Sequence, residues 1–143
     1  MWRVTAALVP ELDVRDLEAS LAFYVGVLGF AVRYQRPEER FAYLERGGAE
    51  LMLQAAAGPG RRFRTAPLEP PFGRGVNFQI RVTDAAALLA AARNAAAEVV
   101  VDLEERWYRR GDGEVGNRQF VVTDPDGYLL RFFEDLGARD GPV

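Results

Sequence analysis

One pattern occurs twice in this chain: a strand, a helix and then three strands. In the first copy an alternating, partly apolar run from Ala7 to Val14 predicts a strand. Asp16 follows as a helix N-cap, with Glu18 in the first turn, where the helix dipole favours an anion. Leu17, Leu21, Tyr24, Val25 and Leu28 form the apolar stripe of an amphipathic helix, and Gly29 stops it. Strands are expected over Phe30–Arg36, Phe41–Arg46 and Glu50–Gln54, with turns at Pro37-Glu38-Glu39 and Gly47-Gly48. In the second copy Gly75–Thr83 is a strand, Asp84 an N-cap and Ala85 to about Ala96 a helix. Val99–Leu103, Asn117–Thr123 and Tyr128–Glu134 complete it, the last two joined through Asp124-Pro125-Asp126-Gly127. Leu12 matches Ile80, Val14 matches Val82 and Asp16 matches Asp84, each 68 residues apart. The order predicts an α+β fold of two βαβββ modules.

At 143 residues the chain suits one compact domain of paired modules and is too short for two independent domains. The first module runs over about 4–56, a connector rich in Gly, Pro and Arg over 57–74, the second module over 75–135 and a tail over 136–143. Nothing approaches the ~18–20 continuous apolar residues of a membrane-spanning helix. Met1-Trp2-Arg3-Val4 does not open a signal peptide, so a cytoplasmic protein without a membrane partner is expected.

Two absences narrow the chemistry. Without cysteine there are no disulfides, thiolate nucleophiles or zinc fingers. Without histidine the commonest transition-metal ligand and the usual general base near neutral pH are missing. The net charge of −3, with no basic helix, argues against nucleic acid as a partner.

Strand alternation sorts the side chains. If Glu50 faces away from the helix, so do Met52 and Gln54, while Leu51 and Leu53 pack on it. Asn77, Gln79 and Arg81 share the corresponding face of the second module, and Phe78, Ile80 and Val82 meet its helix. Glu11 and Asp13 lie on one face of the first strand, and Phe41 and Tyr43 alternate together on another. Such a polar face requires water, internal pairing or a ligand. Trp107-Tyr108, between two second-half strands and flanked by Arg106, Arg109 and Arg110, either stacks on a ligand or merely closes the end of the module. Arg61-Arg62-Phe63-Arg64 is a solvated loop or a flap that meets an anionic group.

Val9-Pro10-Glu11-Leu12-Asp13-Val14-Arg15-Asp16-Leu17, Phe23-Tyr24 and Val27-Leu28-Gly29-Phe30, with Asp124-Pro125-Asp126-Gly127-Tyr128 near the end, resemble the vicinal-oxygen-chelate superfamily. This superfamily includes glyoxalase I, ring-cleaving dioxygenases and bleomycin-resistance proteins. The resemblance spans about Leu8 to Asp135. It implies a cupped mixed sheet with helices on the convex side, and commonly a homodimer. It also implies four metal-ligand positions, which fall here on Val9, Glu50, Asn77 and Arg131. Valine and arginine cannot coordinate a metal, so no metal and no other cofactor is expected. Arg131 is then expected to replace the metal's charge and pair with Glu50.

The resemblance is strongest to the bleomycin-resistance members, which imply a metal-independent protein that sequesters a drug or metabolite in a cup or dimer crevice, with no catalytic residue. The expected ligand-contacting residues are Asp13, Phe41, Tyr43, Glu50, Met52, Asn77, Gln79, Trp107, Tyr108 and Arg131. A bleomycin-like ligand fits poorly in one respect, since bleomycin is cationic and arginines surround the crevice. Two alternatives stand beside this reading. One is a metal-free, lyase- or isomerase-like enzyme using Glu50, Asp13 or Glu11 as acid or base; the other is a relative that survives as a dimerisation or partner-binding module.

Overall fold

A computed structural model describes residues 5–141, so Met1 to Val4, where the first module is expected to begin, lie outside the described residues. The chain divides into two compact units, one ending at Phe72 and the other starting at Gly73.

The first unit contains β1 (Glu11–Val14), α1 (Leu17–Leu21), β2 (Ala31–Arg36), β3 (Phe41–Arg46) and β4 (Ala49–Ala55). Its sheet has the order β1-β4-β3-β2, with β1 parallel to β4 and the other pairs antiparallel. Asp16 caps α1 as expected, its Oδ1 accepting from the Ala19 N–H at 3.2 Å. Beyond Leu21 the helix widens into a π-helical segment over Ala22–Val27, closed by a Leu28 N–H to Phe23 carbonyl bond of 3.0 Å. An i→i−5 bond fits an extra residue into the turn and shifts the phase of the buried stripe. Tyr24 and Leu28 are therefore fully buried, Phe23 joins them, and Val25, expected in the stripe, is turned out with 37% of its surface exposed. Leu12, Val14, Ala42, Leu44, Leu51 and Leu53 supply the apolar side of the sheet.

The second unit contains β5 (Asn77–Arg81), α2 (Ala85–Asn94), β6 (Val99–Arg110), β7 (Gly113–Thr123) and β8 (Leu129–Asp140), with sheet order β5-β8-β7-β6 and β5 parallel to β8. Asp84 accepts from the Ala87 N–H at 3.0 Å at the start of α2. Ile80, Val82, Leu88, Leu89, Phe120, Val122, Leu130 and Phe132 form the core, with the Phe120 and Phe132 rings stacked at 5.5 Å. Two expectations need correction. Trp107-Tyr108 does not lie in a connecting segment but on β6, which pairs with β7 up to Arg110↔Gly113. Residues 136–140, expected as tail, continue β8 opposite β7. No helix among the described residues is long and apolar enough to cross a membrane.

Candidate functional site

On the first sheet, the face away from α1 is already occupied by its own side chains. Tyr34 stacks on Tyr43 (centroids 5.2 Å apart, planes at 17°), and the Arg36 guanidinium lies 3.9 Å from the Phe41 ring centre. Phe41 and Tyr43 are accordingly 1% and 3% exposed, which leaves them as packing residues. Gly60 approaches Gln54 so closely that a Cβ there would collide with the Gln54 amide. Arg62 donates to the Gly60 and Ala55 carbonyls, and Arg64 to Asp13 at 3.2 Å and to the Ala56 carbonyl at 2.6 Å. The arginine cluster of the connector thus binds it to the Asp13 and Gln54 side of the sheet. Met52 remains half-buried between these groups.

Glu50 is held by three donors. The Tyr43 hydroxyl donates at 2.7 Å, Arg33 Nη1 at 2.9 Å and the Ala6 N–H at 2.9 Å. The Tyr43 bond above all, helped by the Ala6 N–H and the Arg33 charge, keeps the carboxyl below the usual range against the opposing effect of burial. Burial and the bond to Glu50 push the Tyr43 phenol up to about 12. Arg33 was not anticipated. It occupies a β-bulge between Val32 and Tyr34, where the two-residue alternation breaks. For the expected Glu50–Arg131 pair, each residue has another partner inside its own unit: Glu50 takes Arg33, and Arg131 donates to Gln79 Oε1.

The four positions implied for a metal do not compose a donor set. Val9 is aliphatic, Glu50 has its oxygens engaged by three donors, Asn77 is exposed, and Arg131 carries a permanent positive charge. Among the described residues no group of three or more His, Cys, Asp or Glu side chains is placed to hold an ion.

On the second sheet, the face away from α2 is open. Gln79 from β5, Arg131, Phe133 and Asp135 from β8, Val115 and Asn117 from β7, and Tyr108 and Arg110 from β6 line a cleft of about 500 Å³. Three expected residues, Gln79, Tyr108 and Arg131, meet here. The Tyr108 oxygen accepts from Gln119 Nε2 at 2.7 Å, and Glu104 Oε1 fixes that amide by accepting from the same nitrogen at 3.2 Å. The Arg131 guanidinium lies 5.9 Å from the centre of the Tyr108 ring. Among the described residues, Arg131 Nε and Gln119 Oε1 are buried without a hydrogen-bond partner, as are Ser20 Oγ and Arg62 Nε elsewhere. Buried polar atoms are rarely left so, because an unmade bond costs about 1–3 kcal/mol.

Trp107 lies on the other face of β6. It sits over Gly116, where a Cβ would come within 2.7 Å of the indole, with the Arg139 guanidinium 3.8 Å from its ring centre and its Nε1 donating to Glu105. Asn117, Gln119, Phe133 and Asp135 were missed by sequence reasoning. Their alternation with buried Phe120, Leu130 and Phe132 is the signal that could have found them.

The glyoxalase/bleomycin resistance protein/dioxygenase superfamily model matches residues 8–132. Among solved structures, TioX from Micromonospora sp. ML1 is 23% identical over 92% of this chain and 99% of its own, with a TM-score of 0.72. A superfamily member from Vibrio splendidus 12B01 is 38% identical over 88% of this chain and 95% of its own, with a TM-score of 0.39. A glyoxalase/bleomycin resistance protein/dioxygenase from Alicyclobacillus acidocaldarius is 22% identical over 92% of each chain, with a TM-score of 0.60. No curated protein matches significantly.

Proposed function

The chain belongs to the glyoxalase/bleomycin resistance protein/dioxygenase superfamily, and from that premise we propose that it is a metal-independent binding protein that sequesters a small organic drug or metabolite on its second sheet. The observation that carries this reading is a cleft of about 500 Å³ lined by Arg131, whose buried Nε has no hydrogen-bond partner among the described residues. That volume falls within the ~300–1,000 Å³ range of small-molecule sites, and its lining joins apolar Val115, Phe133 and Ala138 to a larger number of polar and charged side chains. The proposed ligand contacts are Gln79, Tyr108, Asn117 and Arg131; Trp107 supports the strand from behind. We include dimerisation in the proposal: β2 is an edge strand carrying exposed Val32 and Tyr34, which a second copy could cover.

A second reading, an enzyme working by carboxylate acid–base chemistry, has one observation in its favour. Burial first, and then the neighbouring Asp13, raise the Glu11 carboxyl above its usual value, against the lowering effect of Arg36. Glu50 is unsuited to that role because its pKa is shifted the other way.

Thermal-shift screening with polar planar compounds, run beside magnesium, manganese, nickel and zinc, tests both readings. The binding reading expects stabilisation by at least one compound, loss of that response in Tyr108→Ala, and no metal-dependent shift that Glu50→Gln removes. Compound turnover abolished by Glu11→Gln would move the enzyme reading to the front. A Glu50-dependent metal shift would overturn the metal-independent one.

A further inference from the structure

We propose that the cleft of the second sheet selects an organic anion, a carboxylate carried on a flat apolar body. This rests on the binding reading above and adds to it the chemistry of the ligand.

The charge balance is the first reason. Arg110 and Arg131 line the cleft against one carboxylate, Asp135, whose Oδ1 already accepts from the Gly137 N–H at 2.8 Å. Neither arginine forms an ion pair among the described residues. A cationic ligand would meet two guanidinium groups, and a neutral one would leave their charge uncompensated.

The second reason is the direction of the hydrogen bonds. Arg131 Nη2 is engaged with the Gln79 carbonyl, which orients the guanidinium and leaves the buried Nε–H as an unused donor. The Tyr108 oxygen is occupied as an acceptor by Gln119 Nε2, so its own proton remains to be donated. The ring of that tyrosine lies 5.9 Å from the Arg131 guanidinium. Two donors of this kind suit the two oxygens of a carboxylate, and charge assistance makes such bonds roughly twice as strong as neutral ones. A phosphate, with more oxygens and charge to satisfy, would be under-served by them. Val115, Phe133 and Ala138 form an apolar stretch of the same wall, against which a ring can lie.

Benzoate, benzamide and benzylamine form a matched series in which only the head group's charge changes. Isothermal titration of the full chain, with amide side-chain NMR of Asn117 and Gln119 to locate the contact, gives the test. We expect benzoate to bind, benzamide to bind about tenfold or more weakly, and benzylamine not to bind at millimolar concentration. Arg131→Gln should remove the preference for benzoate over benzamide, whereas Arg131→Lys should retain part of it. Tyr108→Phe should weaken benzoate several-fold more than benzamide, beyond any small loss of melting temperature from the missing Gln119 bond. Benzamide or benzylamine binding as tightly as benzoate, with Asn117 and Gln119 shifted, would overturn the anion and leave the binding site standing. If none of the three shifts those side chains, both the anion and the site it rests on are overturned.

Discussion

At Glu50, donors from three separate parts of the first unit converge on one carboxylate: the Ala6 N–H ahead of β1, Arg33 on β2 and Tyr43 on β3. Because its folded pKa is lowered, the stability it contributes is present above its usual value of 4.5 and is lost as pH falls through the folded value. Glu50→Gln should therefore lower the melting temperature at pH 7 by roughly 5 °C or more. The gap from the unmodified protein should close as the pH is taken below 4.5, a comparison that scanning calorimetry over a pH series can make. Tyr43 behaves oppositely. Its raised pKa stabilises the fold fully below pH 10, and that contribution fades as pH rises from 10 to about 12. Ultraviolet titration of the folded protein should show late phenol ionisation, and Tyr43→Phe should reduce its amplitude by one phenol. The sequence put Glu50 on the face away from α1 and assigned its partner by charge replacement alone. Arg33 was hidden because a bulged residue obeys no two-residue rhythm.

The doubled pattern gave the elements, and their limits were set by chemistry that apolar alternation does not report. Alternation ends near Leu103, and Glu104-Glu105-Arg106 looks like a loop. The β6–β7–β8 ladder nevertheless continues, held by backbone pairing and by cross-strand charge pairs such as Arg139 with Glu114 at 3.0 Å. The extended strands bring Tyr108, Arg110, Val115 and Asp135 into the cleft with Arg131, from positions the expected strands did not reach. Local side-chain bonds to backbone were easier to read. Asp84→Ala should cost about 1 kcal/mol by chemical denaturation, the usual value of a lost N-cap. Asp124 is buried, and its Oδ1 accepts from both the Asp126 and Tyr128 N–H groups at 2.9 Å. Asp124→Ala should cost more, about 2–3 kcal/mol, since two buried donors lose their partner.

Across the whole chain all 18 cations are arginine, and the net charge of −3 is unevenly divided. Residues 1–72 hold nine arginines and nine carboxylates, whereas residues 73–143 hold nine and twelve. The half that carries the arginine-lined cleft is therefore the acidic half. Its long-range field repels an approaching anion, although the cleft attracts it at contact. Added salt shortens the Debye length to about 8 Å near physiological strength and should raise the association rate of benzoate, measured by NMR line shape. A rate that falls with salt would place the dominant field in the cleft itself. Trp107 offers a way to watch such events. Its indole is clasped between Gly116 and the Arg139 guanidinium, on the face of β6 opposite Tyr108. The chain has one other tryptophan, Trp2, so Trp2→Phe would leave a single fluorophore with a fixed seat. Gly116→Ala should unseat it and shift its emission, because the new methyl would occupy the indole's place. The undisturbed indole is an optical gauge next to the cleft in sequence yet outside it in space, able to register a guest without competing for the room that guest needs.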